Sequence, residues 1–173
     1  MPATLTPDLT HELHKLSGLS VSTPQMSTLT TADPRNPADT MEVQLAFLEV
    51  DRLSCALQEV QLNVPSMSGA SPDLLKQWAN SLCQRITYLL ENMGPLEFAP
   101  DAGQVLIRSI APTQNPNKKV FYEVMLHANS GGSFSLKRHE SIKGQPGRTA
   151  VPLKLTHEVL SRLINDLIET IPV

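Results

Sequence analysis

Residues 118–139, KKVFYEVMLHANSGGSFSLKRH, contain two strand-length runs separated by Ser130-Gly131-Gly132. In the first run Val120, Tyr122, Val124 and Leu126 alternate with Phe121, Glu123, Met125 and His127. A period of two places these sets on opposite faces of a strand, and the glycines supply the positive φ angles that a tight hairpin needs. A second pair of runs, LEFAP and QVLIRSI, flanks Asp101-Ala102-Gly103 and predicts another hairpin just upstream. The connecting APTQNPNK, with two prolines and two asparagines, reads as an exposed loop. Successive strands without intervening helices argue for an antiparallel sheet and against a doubly wound parallel one.

Helices bracket this region. Ser71 as cap, Pro72 at the first position and Asp73 in the first turn precede Leu75, Trp78, Ala79, Leu82, Ile86, Leu89 and Leu90 on one face, ending near Asn92 before Gly94-Pro95. Thr156 caps a last helix running to about Thr170, with Leu155 and Leu160 placed as a hydrophobic staple. Its stripe of Val159, Leu160, Leu163, Ile164, Leu167, Ile168 and Ile171 is wide enough to be deeply packed or shared with a second subunit.

The amino-terminal part is less decisive. Leu53, Cys55 and Leu57, then Val60, Leu62 and Val64, alternate with a one-residue slip, predicting a bulged strand over 51–64. Residues 41–48 fit a strand or a helical turn. The first forty residues, rich in Thr, Ser and Pro, are expected to form a loose arm carrying a short amphipathic helix from Pro7 to Ser17. Two or three turns of helix do not hold alone, so the Leu9, Leu13 and Leu16 face must dock. The expected architecture is α+β: an antiparallel sheet of about four to five strands with helices packed on one face. Residues 1–40 form the arm and 41–173 a single domain.

With 173 residues, 40% hydrophobic and 18% charged, the chain is long enough for a conventional core. It lacks a signal-peptide pattern and any apolar run of membrane-spanning length, so cytoplasmic residence without membrane contact is expected. Two cysteines, Cys55 and Cys83, read as buried reduced thiols.

Charge is unevenly spread. Residues 108–154 hold eight basic side chains against Glu123 and Glu140, while the remainder of the chain is acidic. Lys137, Arg138, His139, Lys143 and Arg148 concentrate on a strand end and the loop after it, a candidate site for an anion, an acidic partner or nucleic acid. The competing reading is that these charges protect an edge strand or balance the molecule's own carboxylates. Arg108, Tyr122, His127, Arg138, His139 and Arg148 offer a second possibility, a small-ligand or catalytic pocket, although alternation sets Tyr122 and His127 on opposite faces. His127 and His139 would meet only if the hairpin register allowed it. His11 and His14 share a helix face but imply no third metal ligand. No P-loop, dinucleotide fingerprint, nucleophile elbow or zinc-protease motif occurs, and neither cofactor nor metal is implied.

The reading that follows is a non-catalytic binding or adaptor protein. It is expected to be homodimeric, with a protein partner or self-association through the Val159–Ile171 helix. Polyanion binding through residues 137–148 and a small-ligand pocket or enzyme near Arg108, His127 and Arg138 are the alternatives. In size and element mix the chain is similar to small acidic α+β secretion chaperones, an analogy that no motif carries.

Overall fold

The computed structural model describes residues 5–89, 93–99, 103–109, 113–115, 117–129 and 131–173. The first half runs α1 (Thr6–Lys15), β1 (Ser20–Ala32), β2 (Thr40–Val50), β3 (Ser54–Asn63) and α2 (Pro72–Arg85). The second half runs β4 (Met93–Ala99), β5 (Gln104–Ser109), β6 (Thr113–Asn115), β7 (Lys118–His127), β8 (Ser133–Ile142), β9 (Thr149–Val151), β10 (Leu153–Thr156) and α3 (His157–Glu169). The expected α+β class with an antiparallel sheet holds. The sheet is larger than the four to five strands expected: among the described residues it has ten, seven of them in the order β1-β2-β3-β8-β7-β5-β4.

The hairpin around residue 130 forms β7 and β8 in unbroken register, with Val124 opposite Leu136 and Leu126 opposite Phe134. All four are fully buried. The slip in 51–64 is a bulge. Phe47 faces Leu57 and Ala46 faces Glu59, so Gln58 is the extra residue, and Leu57 and Val60 both remain in the core. Residues 41–50 are strand throughout, with Met41, Val43 and Leu45 buried.

Three regions supply the extra strands, one of them β6, which lies inside the stretch expected to be an exposed loop and pairs with Lys118–Val120. Ser20–Ala32, within the expected loose arm, is a thirteen-residue strand beside β2. Its pattern is Thr- and Ser-rich because only Ser27 and Leu29 of the strand are buried. Further on, β3 leaves β8 after the Val60–Leu136 pair, and residues 149–156 fill the gap. β9 pairs with Arg138–Glu140 of β8, and β10 pairs with Ser54–Leu57 of β3. Pro152, between the two, lacks an N–H for either ladder.

One hydrophobic cluster contains Leu9 and Leu13 of α1, Leu75, Trp78 and Leu82 of α2 and Leu160, Leu163, Ile164, Leu167 and Ile168 of α3, with alternate residues of the strands. α1 docks on the body of the chain as its length requires. Leu5 stands at its N-cap without a side-chain cap, and the Thr6 hydroxyl lies 3.2 Å from Ser161 and accepts a hydrogen bond from Asn165 of α3. The caps of the other helices form as expected: the Ser71 hydroxyl accepts from Leu74 N–H and that of Thr156 from Val159 N–H. α2 stops at Arg85, earlier than its apolar stripe suggested, and passes into a 3-10 turn at Thr87–Leu89. Residues 90–92, as well as Asp101 and Ala102 of the expected turn, lie outside the described residues.

The α3 stripe is spent inside this chain. Leu160, Leu163, Ile164, Leu167, Ile168 and Ile171 are all buried, so the surface expected to serve self-association is core. No helix among the described residues is long and apolar enough to cross a membrane.

Candidate functional site

Alternation leaves a second, polar set of side chains on the central strands. Glu59, Gln61 and Asn63 of β3, Ser133, Ser135, Lys137 and His139 of β8, and Glu123, Met125 and His127 of β7 line one cavity of about 500 Å³. Arg148, from the loop after β8, forms part of its wall.

Glu123 is the electrostatic centre of this face. It is 7% exposed, and both carboxylate oxygens accept hydrogen bonds from the Arg148 guanidinium, at 2.6 and 2.7 Å. Arg108, its neighbour on β5, donates at 3.0 Å, and His139 Nε2 lies 3.7 Å away. A buried carboxylate with two guanidinium partners is already satisfied, which removes it as a free proton acceptor. Burial, the largest influence on His139, pushes its pKa below the usual 6.5; the Glu123 charge opposes that shift and Arg148, Lys137 and Arg108 add to it. Glu59 forms a smaller hub, accepting from Ser135 at 2.6 Å and Gln61 at 2.9 Å, with Lys137 Nζ at 4.0 Å.

The five residues proposed for anion binding therefore divide. Arg148 and His139 converge on Glu123, and Lys137 reaches towards Glu59. Arg138 lies on the opposite face, its guanidinium 5.4 Å from the Tyr122 ring centroid. Lys143 is exposed on the loop. Of the other basic residues in 108–154, Lys118 pairs with Glu140 at 3.4 Å, while Lys119 and Lys154 are exposed.

The pocket imagined around Arg108, Tyr122, His127, Arg138, His139 and Arg148 is likewise split. Arg108, His139 and Arg148 share Glu123; Tyr122 and Arg138 are a cross-strand pair whose members lie on the face opposite Glu123. His127 lies opposite Ser133 and His139 opposite Phe121, at the two ends of the hairpin. Six residues of strand, about 20 Å, separate them.

Glu59, and the convergence of Arg108 and Arg148 on Glu123, are what reasoning from the basic residues missed. The signal was present: pairing symmetric about Ser130 sets residue 123 opposite 137. Away from this face, His14 lines a different cavity with Arg52 and His157 between α1 and α3, while His11 is exposed. Cys55 is buried and burial pushes its thiol up to about 12; Cys83 is only half-buried, and burial raises it as well. Among the described residues no group of three or more histidine, cysteine, aspartate or glutamate side chains is placed to hold a metal.

Compared with known proteins, the chain matches no family model, no curated protein and no solved structure.

Proposed function

We propose that this chain is a non-catalytic binding or adaptor protein that engages another protein through the polar face of its sheet. The observation that carries the reading is the character of that face. Its charges are paired internally around Glu123 and Glu59, and the rest of the cavity is lined by hydrogen-bonding groups, Gln61, Asn63, His127 and Ser133, beside the adaptable side chain of Met125. The three helices contribute to a single core with the other set of strand residues, which supports packing on one face only and an uncovered polar face.

A photo-crosslinking residue placed at Ser133 or Gln61, and at Lys76 on the exposed side of α2 as a control, tests this in extract of the source cells. The expected result is a discrete covalent adduct from the polar-face positions, lost on Asn63→Arg, with none from Lys76. The same yield from all three positions, or none from the polar face, overturns it.

Polyanion binding draws its support from Lys119, Lys143 and Lys154, which are exposed and make no ion pair among the described residues. Titration of single-stranded and duplex nucleic acid and of heparin at several salt concentrations separates this from the protein-binding reading. Steeply salt-dependent affinity that is lost in a Lys119/Lys143/Lys154 triple alanine variant would favour the polyanion.

A further inference from the structure

β1 lies at the end of the strand order and pairs only with β2 among the described residues, leaving its other backbone edge without a strand. Natural edge strands are shielded by charges, prolines or bulges. Here those devices protect one end alone. A register break lies between Ser20 and Gln25 and contains Pro24, whereas Gln25–Ala32 pairs with Phe47–Thr40 without interruption. These eight residues give a regular edge about 27 Å long at ~3.4 Å per residue. No Lys, Arg, Asp or Glu occurs anywhere in Ser20–Ala32. Met26 is 51% exposed on this strand, and Thr28 and Thr30 on the same face are exposed as well.

We infer that Gln25–Ala32 pairs antiparallel with the same segment of a second copy of this chain, joining two sheets across a twofold axis. Two arguments select a second copy over a different partner. An antiparallel strand edge is complementary to itself under twofold rotation, as an isologous contact must be. The edge is also uncharged, so it opposes a copy without like-charge repulsion and offers neither an acidic nor a basic partner a complementary field. Both ends of the segment are held in place for pairing. Ser27 donates a hydrogen bond to Glu12 of α1 at 2.9 Å, and the buried Asp33 that follows the strand accepts from Ser66. Met26 and Thr28 share the polar face through the rows Met26–Ala46–Glu59 and Thr28–Gln44–Gln61 but lie outside the cavity, and the pairing proposed here runs through the backbone edge of β1, so it does not rest on the polar-face reading.

Sedimentation and light scattering over a concentration series test it, using the wild type and two exposed-face variants, Met26→Lys/Thr28→Lys and Met26→Glu/Thr28→Glu. The positions directly opposite them on β2 are Ala46 and Gln44, so neither variant faces a like charge straight across the β1–β2 ladder. The wild type is expected at twice the 19.0 kDa chain mass. Each variant alone should associate roughly tenfold more weakly or worse. An equimolar mixture of the two should recover the dimer, which misfolded variants would not do. A wild type that stays monomeric throughout, a dimer indifferent to both variants, or variants that lose the dimer without recovering it on mixing would each overturn the inference.

Discussion

Arg148 reaches back from the loop between β8 and β9 to hold both oxygens of Glu123, so the loop rich in glycine and basic residues is tied to the middle of the sheet by one side chain. Arg108 and His139 approach the same carboxylate from the neighbouring strands. Glu123→Gln keeps the shape of the side chain and removes the charge, leaving two guanidinium groups without a counter-ion. Because both arginines are about one-third exposed, the cost falls below that of a fully buried pair, at about 2 kcal/mol. Arg148→Ala leaves the Arg108 contact intact and should cost about 1 kcal/mol. Denaturant unfolding followed through Trp78 measures both. Amide exchange should quicken over 143–148 in either variant.

His139 makes stability depend on pH. Its pKa in the folded chain lies below the usual 6.5, chiefly through burial, so the unfolded chain binds more protons at intermediate pH. The contribution is fully present above 6.5 and is lost as pH falls through the folded value. His139→Gln should flatten the stability profile below 6.5 and leave it unchanged above. An NMR titration of the His139 ring should give a midpoint under 6.5, and one above it would reverse the sign of the effect.

Much of the fold could be read where pattern and chemistry coincide. Ser71 and Thr156 cap helices because serine and threonine accept the orphan amides of a first turn, and the bulge at Gln58 follows from the slip between Leu57 and Val60. β1 was hidden because an edge strand with two buried residues shows no apolar alternation. The ion cluster was half legible. Eight basic residues stood out, but the two that matter most, Arg108 and Arg148, converge on one glutamate whose role depends on strand register, which counting charges does not reveal. Nor could the sequence separate Arg138 from Lys137 and His139 until alternation along β8 assigned them to opposite faces.

Asp33 is fully buried and has no cationic partner among the described residues, and its carboxylate joins two loops. It accepts from Arg35 N–H at 2.9 Å within the β1–β2 connection, and from the backbone N–H and hydroxyl of Ser66, each at 2.9 Å, in the turn after β3. Asp33→Ala strands three donors and should cost about 2–3 kcal/mol. Asp33→Asn keeps an acceptor and should lose roughly half as much. Equal losses in the two variants would mean that space-filling, and not hydrogen bonding, sets the role of this position.

Gly131 and Gly132 form the turn between β7 and β8, and both have positive φ, 105° and 58°, yet they should respond differently to alanine. A Cβ at Gly131 meets nothing within 4 Å, so Gly131→Ala carries only backbone strain, about 1–2 kcal/mol. At Gly132 a Cβ would lie 2.4 Å from the Val64 carbonyl oxygen and 2.7 Å from Met67 backbone. The same glycine carbonyl accepts a hydrogen bond from Val64 N–H at 2.8 Å, so the hairpin and the turn after β3 cannot separate without breaking that bond. Gly132→Ala should therefore cost about 3 kcal/mol or more, through strain and overpacking together. Thermal unfolding of the two variants side by side checks the difference. Equal losses would show that the backbone around Val64 and Met67 yields to the added methyl group, and that the close approach is not what demands glycine there.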